Sequence, residues 1–253
     1  MRQIIFHEET KTFHLYNEKI SYILCVLENG HLGQLYFGKR LHDKADFSYL
    51  VEKCERPMTS YIYEWDRTFS LEHIRQEYPV YGTTDYRHPA IELLQENGSR
   101  ISEFQYESYE IIDGKPKLSG LPATYTESEG EAQTLRIFLK DALTGAKLAL
   151  LYTIFDEYSA IARSAYIENA GEKNLHVLNM MSLSLDLPDK DYEWMQLSGA
   201  WSRERYIKSR TLEQGITAID SMRGNSSHEH NPFLALKRHN TDENAGEAIG
   251  ISL

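Results

Sequence analysis

Apolar and polar positions alternate with a period of two along most of this chain, the pattern of half-buried strands rather than helices. Ile4–His7 and Thr12–Tyr16 read as short strands around a Glu-Glu-Thr-Lys turn. Ser21–Leu27, SYILCVL, is a continuous apolar run that stops at Asn29-Gly30, and the pattern resumes at Leu32–Phe37. Asn-Gly between two such runs predicts a hairpin, because both turn positions must accept positive φ. Ala90–Gln95 is a further strand, ended by Asn97-Gly98. Over Ser102–Ile112 the alternation sets Phe104, Tyr106, Ser108 and Glu110 on one side and Glu103, Gln105, Glu107 and Tyr109 on the other. Ala132–Lys140, Lys147–Phe155 and Ala160–Glu168 are three clean strands, and Leu175–Leu187 reads as one long strand. After Tyr192–Leu197 come Tyr206–Leu212 and Ile216–Ser221, expected to form a hairpin around Glu213-Gln-Gly215. Phe233–Arg238 and Ala248–Leu253 close the chain.

About fifteen strand candidates at spacings of roughly 8–14 residues predict an all-β antiparallel fold. The expectation is a single large two-sheet sandwich over residues 1–253, with long loops and at most short helices. Two stretches break the pattern. Gly38–Asp66 is a long excursion, with room for a short helix near Asp43–Lys53. Its aromatics Phe47, Tyr49, Tyr61, Tyr63 and Trp65 argue for order, since they would gain nothing in a solvated coil. Leu71–Tyr78 reads as a helical turn, followed by PVYGTTDYRHPA, whose prolines and glycine exclude a regular element.

Composition narrows the partners. The 253 residues carry 38 acidic against 27 basic side chains, a net charge of −11. Such a chain repels nucleic acid and anionic membrane, which need a cationic footprint. Cys25 and Cys54 form no disulfide framework and no metal spacing, and a cytoplasmic location is expected. No apolar run approaches a membrane span, and no cofactor motif is present: G-x-S-x-G and a Gly-rich phosphate loop are both missing.

Three constellations carry potential chemistry. His228-Glu-His230 places two imidazoles on one face of a strand, but a metal site needs a third donor and a polar loop is the better reading. Asp186, Asp189, Asp191 and Glu193 surround Tyr192 and Trp194; in so acidic a chain they read first as a solvated turn, and second as the carboxylate pair of a glycosidase. Trp194 and Trp201 with Arg203 and Arg205 suit either sugar stacking or a sheet edge whose arginines pair with Glu204 or Glu193, and the residues alone favour the edge. Trp65-Asp66-Arg67 admits the same two readings.

Seven runs in order along the chain resemble the N-terminal domain of glycoside hydrolase family 36 α-galactosidases of the bacterial, tetrameric kind. They are Asp66-Arg-Thr-Phe-Ser-Leu71, Gln76-Glu-Tyr-Pro-Val-Tyr-Gly82 with Asp85-Tyr-Arg87, Gln95-Glu-Asn-Gly98, and Gly114-Lys-Pro-Lys-Leu-Ser-Gly-Leu-Pro-Ala-Thr-Tyr125. The others are Asp191-Tyr-Glu-Trp194, Gly199-Ala-Trp-Ser-Arg-Glu-Arg205, and Arg223-Gly-Asn-Ser-Ser-His228 through Asn231-Pro-Phe233. The resemblance implies a β-supersandwich that precedes a (β/α)₈ barrel. That barrel holds both catalytic aspartates of a retaining mechanism, so no catalytic residue is expected in this chain. It also implies α-galactoside substrates of the raffinose, stachyose and melibiose type, a homotetramer, and a substrate-pocket wall to which Arg67, Tyr192 and Trp65 contribute. A free-standing carbohydrate-binding or assembly module is the alternative.

Overall fold

In the computed structural model, which describes residues 3–120, 123–223 and 228–253, fourteen strands account for the regular structure. Apart from short 3₁₀ turns at Ser48–Leu50 and Glu129–Glu131, no helix occurs among the described residues. Gly38–Asp66 is a long excursion as expected, its room for a short helix near Asp43–Lys53 filled only by the first of these turns, and Leu71–Tyr78 is a run of turns without a helix. The all-β antiparallel expectation holds. Its strands are shared among four sheets, and the chain divides into two compact units, one ending at Asp186 and one beginning at Leu187.

The first unit holds three sheets. β1 (Gln3–His7), β2 (Thr12–Tyr16), β3 (Ile20–Val26) and β4 (Leu32–Lys39) form one meander. After β5 (Ile91–Gln95), β6 (Phe104–Asp113), β7 (Ala132–Asp141), β8 (Ala146–Phe155) and β9 (Ile161–Asn169) form a second. The short β10 (Leu175–Met180) pairs with β5. One apolar cluster draws Phe13, Leu15, Tyr22 and Leu24 from the first meander and Leu135, Ile137, Leu148, Leu150 and Ile154 from the second, the interior of a sandwich.

The continuous SYILCVL run is explained by burial on both faces of β3. Tyr22 and Leu24 point into the sandwich, while Ile23, Cys25 and Leu27 point outward into a second cluster with Phe47, Phe69, Leu71 and Ile74. The long excursion is the lid of that cluster: Leu41, Leu50, Val51, Ile62 and Tyr63 pack against it. The turn after β3 places Gly30 at φ +84°, where a side chain would be strained.

Two strand expectations fail in the detail of pairing. In β6 a bulge between Tyr106 and Ser108 shifts the register by one residue, so Tyr109 rather than Ser108 follows Tyr106 inward. Its ring meets Phe13 edge-on at 5.0 Å. Regular pairing of the Leu175–Leu187 run ends at Met180, because Tyr78 donates its hydroxyl hydrogen bond to the Met181 carbonyl (2.5 Å) and the Asp186 carboxylate turns to Gln76 and Arg87.

Across the sandwich lies a buried polar cluster. Glu77 is fully buried and accepts hydrogen bonds from Tyr22 of β3 (2.7 Å) and Tyr152 of β8 (3.0 Å). The Arg163 guanidinium of β9 ion-pairs with Glu77 (3.1 Å), donates to the Tyr22 hydroxyl (2.8 Å) and lies 4.0 Å from the Tyr152 ring centroid. Burial pushes the Glu77 carboxyl above its ordinary range, against the pull of Arg163 and the two hydroxyls. Burial also raises both tyrosine hydroxyls well above theirs, which keeps them neutral donors.

The second unit is one sheet in the order β12 (Arg203–Thr211), β11 (Glu193–Ala200), β13 (His230–Lys237), β14 (Ala248–Ser252). The expected hairpin of Tyr206–Leu212 with Ile216–Ser221 does not form. Residues 212–222 have no regular pairing, and β12 instead folds back on β11 through a tight turn at Trp201-Ser202. Gly199 makes that turn possible, since a Cβ there would lie 2.0 Å from the Arg203 carbonyl oxygen. Ser202 and Arg205 both sit at positive φ around it.

Glu77→Gln leaves the Arg163 charge buried without its counter-ion and is expected to cost about 3–5 kcal/mol, whereas Tyr152→Phe, which drops one hydrogen bond, costs about 1 kcal/mol. Urea unfolding midpoints of the two variants check the order; equal midpoints would mean that solvent reaches the cluster.

Candidate functional site

Most of the motif residues turn out to be scaffold. Gln76, Glu77 and Tyr78 all lie in the buried polar framework of the first unit. Asp85 accepts from the Arg87 Nε (2.9 Å) and from the Gln76 amide. Arg87 in turn reaches Asp186 and donates to the carbonyls of Leu71 and Ile74, the latter at 2.8 Å. Asp186 also accepts the Gln76 backbone N–H at 2.8 Å. The guanidinium therefore closes the 71–76 turns against the 85–87 turn, which satisfies backbone groups that no sheet reaches.

What the scaffold presents is the end of the excursion. A tight turn from Tyr63 to Asp66 lifts Trp65 to its tip, 82% exposed, with its ring stacked on Tyr63 at 4.8 Å. Asp66 fixes that turn: it accepts from the Thr68 hydroxyl (2.5 Å) and backbone N–H (2.9 Å) and from Lys53 Nζ (3.1 Å). Those bonds pull its carboxyl down to about 2. Lys53 also holds Glu28, and Phe69 and Leu71 bury beneath. Arg67 follows with its guanidinium over the Tyr61 ring at 5.5 Å, exposed, and with no carboxylate partner among the described residues. One loop thus carries an open indole face and a planar fork of donors, a pairing suited to a hydroxylated ring with one apolar face.

The second unit treats Tyr192 differently. Its ring is 2% exposed, its hydroxyl donates to Glu247 (3.2 Å), and the Arg238 guanidinium lies 3.9 Å from its centroid. Arg238 is held in turn by a two-point pair with Asp189 at 2.6 and 3.1 Å. Burial raises the Tyr192 hydroxyl above its ordinary range. The carboxylates around it are committed: Glu193 pairs with Lys237 (2.7 Å) and His239, and Asp191 with His239 (3.1 Å). Hydrogen bonds from Arg238 lower Asp189 and those from Lys237 lower Glu193, whereas a general acid needs a raised value. The turn reading of this cluster is the one the geometry supports.

Trp194 does not group with Arg203 and Arg205. Strand register sets it beside Arg210, whose guanidinium lies 5.6 Å from its ring, and Trp201 stands 80% exposed at the hairpin tip. Glu204 caps the Ser202 N–H and Glu193 pairs with Lys237, so neither meets those arginines. Beside Trp194 a shallow depression of about 280 Å³ is lined by Gln196, Ser198, Lys208, Arg210 and His230. A relay runs along it from the Trp194 indole N–H to Gln196 and on to Ser198 and His230. Only cross-strand register could have disclosed this group.

Among the described residues no three His, Cys, Asp or Glu side chains are placed to hold a metal. Gly224–Ser227, at the centre of the Arg223–His228 run, and Leu121-Pro122, within the Gly114–Tyr125 run, lie outside the described residues. Both cysteines are free, Cys25 buried, with burial pushing its thiol up to about 12, and Cys54 exposed. No helix among the described residues is long and apolar enough to cross a membrane.

Comparison with known proteins agrees with the motif pattern. Residues 30–253 match the model of the glycosyl hydrolase family 36 N-terminal domain. The chain is 44% identical over 249 residues to the alpha-galactosidase AgaA of Geobacillus stearothermophilus, covering 98% of this chain and 34% of that protein. It is 39% identical to the alpha-galactosidase Mel36A of Lactobacillus acidophilus, over 99% of this chain and 34% of the relative. In structure it superposes on AgaA with a TM-score of 0.90, covering 95% of this chain and 33% of that one. On the alpha-galactosidase of Lactobacillus brevis, 37% identical, the TM-score is 0.94, with coverage of 97% and 33%. A variant of AgaA has been crystallised in complex with raffinose. The chain spans about a third of the length of these relatives.

Trp65→Ala should leave the unfolding free energy within about 0.5 kcal/mol, because an exposed tip buries little. Tyr192→Ala should cost about 3 kcal/mol, through lost packing and an uncovered Arg238. Denaturant unfolding compares the two, and a Trp65 loss as large as that of Tyr192 would contradict the exposed placement.

Proposed function

This chain belongs to the glycosyl hydrolase family 36 N-terminal domain family, and on that footing we propose that residues 1–253 act as the non-catalytic N-terminal domain of an α-galactosidase. The observation that carries this reading is the 0.90 superposition on AgaA at 44% identity, over nearly all of this chain and a third of that enzyme. The substrates are terminal α-galactosides of the raffinose, stachyose and melibiose type. Hydrolysis is retaining, through a covalent glycosyl-enzyme, with two carboxyl groups about 5–5.5 Å apart on a separate (β/α)₈ barrel. The committed carboxylates around Tyr192 accord with chemistry performed elsewhere. The enzyme is a cytoplasmic homotetramer, in which this domain packs on its own barrel and helps assemble the oligomer.

In this proposal the domain also walls the substrate pocket. Trp65 offers a flat apolar face and Arg67 offers donors not held by a carboxylate, whereas Tyr192, buried beneath Arg238, would contribute by shaping the surface of its own unit. Such contacts hold the part of the sugar remote from the scissile bond and contribute binding rather than chemistry.

Hydrolysis of p-nitrophenyl α-galactoside by this chain beside the full-length protein tests the assignment. Activity in the longer protein only is expected; turnover by the 253-residue chain would overturn it. In the full-length protein, Arg67→Ala should lower kcat/KM for raffinose by about tenfold, the loss of one charged hydrogen bond, with the unfolding midpoint unmoved. Unaltered kinetics would remove Arg67 from the wall.

A further inference from the structure

The start of the excursion is tied to the first meander by an unusual arrangement of side chains. His14 of β2 is wholly buried. Its Nδ1 lies 2.7 Å from Asp43 Oδ1, and its Nε2 lies 2.9 Å from the Ser21 hydroxyl of β3. Ser21 Oγ also accepts the Leu41 N–H at 2.9 Å. His7 of β1 reaches the same Asp43 oxygen at 3.0 Å. Thr10 donates to the Ala45 carbonyl (3.1 Å), and the buried Phe47 ring meets the His14 ring edge-on at 5.3 Å. Four alternate residues, Leu41, Asp43, Ala45 and Phe47, thus anchor this stretch. The order Asp–His–Ser has the form of a nucleophile triad, but Ser21 is buried and no substrate reaches it.

The proton count fixes the state of this network. With His14 neutral, Nδ1–H donates to Asp43, Nε2 accepts from Ser21, and the Ser21 oxygen accepts from Leu41; every group is satisfied. A second proton on Nε2 would face the Ser21 hydroxyl and leave its hydrogen without the acceptor it has now. The surroundings also resist the charge. His7 shares the carboxylate, the Tyr16 ring packs on the imidazole at 4.7 Å with Arg40 over it at 5.5 Å and paired with Glu18, and among the described residues Asp43 is the one carboxylate that faces the imidazole.

We propose that His14 and Asp43 form a pH-sensitive latch that seats the excursion on the first meander and so positions Trp65 and Arg67. The consequence for the pocket rests on the wall reading given above; the latch itself does not. Burial lowers the His14 imidazole below its ordinary 6.5, against the hydrogen bond it donates to Asp43. A folded value below the unfolded one means that the contribution is complete above about 6.5 and is lost as pH falls through the folded value. Desolvation raises the Asp43 carboxyl, but bonds from His14 and His7 outweigh it and leave it below its ordinary 3.8, so Asp43 stays charged while the imidazole titrates.

Amide hydrogen exchange of residues 41–51, corrected for the intrinsic pH dependence, tests the latch in the full-length protein. Wild type should exchange up to about tenfold faster at pH 5.5 than at pH 7.5, the limit that protonation of one imidazole sets over that interval, while β7 and β8 keep their protection. Asp43→Asn, at a partly exposed position that does not threaten folding, should show the faster rate at both pH values, and His14→Gln should lose most of the pH dependence. Exchange that is unmoved by pH and by Asp43→Asn overturns the latch. KM for raffinose separates the two readings: a several-fold rise in Asp43→Asn with kcat retained supports both, whereas faster exchange with an unmoved KM upholds the latch and removes the pocket wall.

Discussion

The ion pair of Glu77 with Arg163 is the constraint on which the first unit depends. A carboxylate and a guanidinium buried between two sheets cost several kcal/mol each in lost hydration, and mutual pairing with added hydrogen bonds offsets part of that cost. Tyr22, Tyr152 and Arg163 supply it from β3, β8 and β9, so the strands of both meanders must meet in one register for Glu77 to be tolerated. Mispaired arrangements leave a charge unmet. The cluster therefore selects among the sandwiches that an alternating apolar pattern would permit, at some cost in raw stability.

Glu77 belongs to no strand, and a second set of buried polar contacts keeps its segment in place. Arg87 gathers Asp85, Asp186 and two backbone carbonyls, and Gln76 joins both carboxylates. This explains why prolines, glycine and positive-φ threonines can occupy the 79–89 stretch without disorder. Isolated backbone bonds, such as Ala90 N–H to the Pro79 carbonyl and Ser102 N–H to that of Tyr81, together with these side chains satisfy it in place of a regular ladder. The same logic governs the excursion, whose apolar residues cover the outer face of β3 while its polar ends are tied at Asp43 and at Asp66. Rigid ends allow an exposed tip, and the tip is where Trp65 and Arg67 stand.

Motif residues consequently divide into two kinds. Gln76, Glu77, Asp85, Arg87 and Gly199 hold the backbone, and their chemistry is spent inside the protein. Trp65 and Arg67 keep theirs available at the surface. Tyr192 falls with the first kind: its hydroxyl and ring are occupied by Glu247 and Arg238, and Arg238 is itself held by Asp189.

The sequence alone determined the strands whose pattern is local. Asn29-Gly30 turns the chain wherever a neighbour lies, and the runs of β2, β3, β7 and β8 carry their own periodicity. The motif order also identified the family. Pairing was beyond its reach. The bulge that turns Tyr109 inward, the partner of β12, and the end of β10 at Met180 depend on atoms distant in the chain. So do the burial of Tyr192, the commitment of its neighbouring carboxylates, and the meeting of His14 with Asp43 and Ser21. A charged or polar side chain reads the same in sequence whether solvent or a buried partner awaits it. Only the fold decides which, because desolvation and hydrogen bonding are set by what the other strands bring to within about 3 Å.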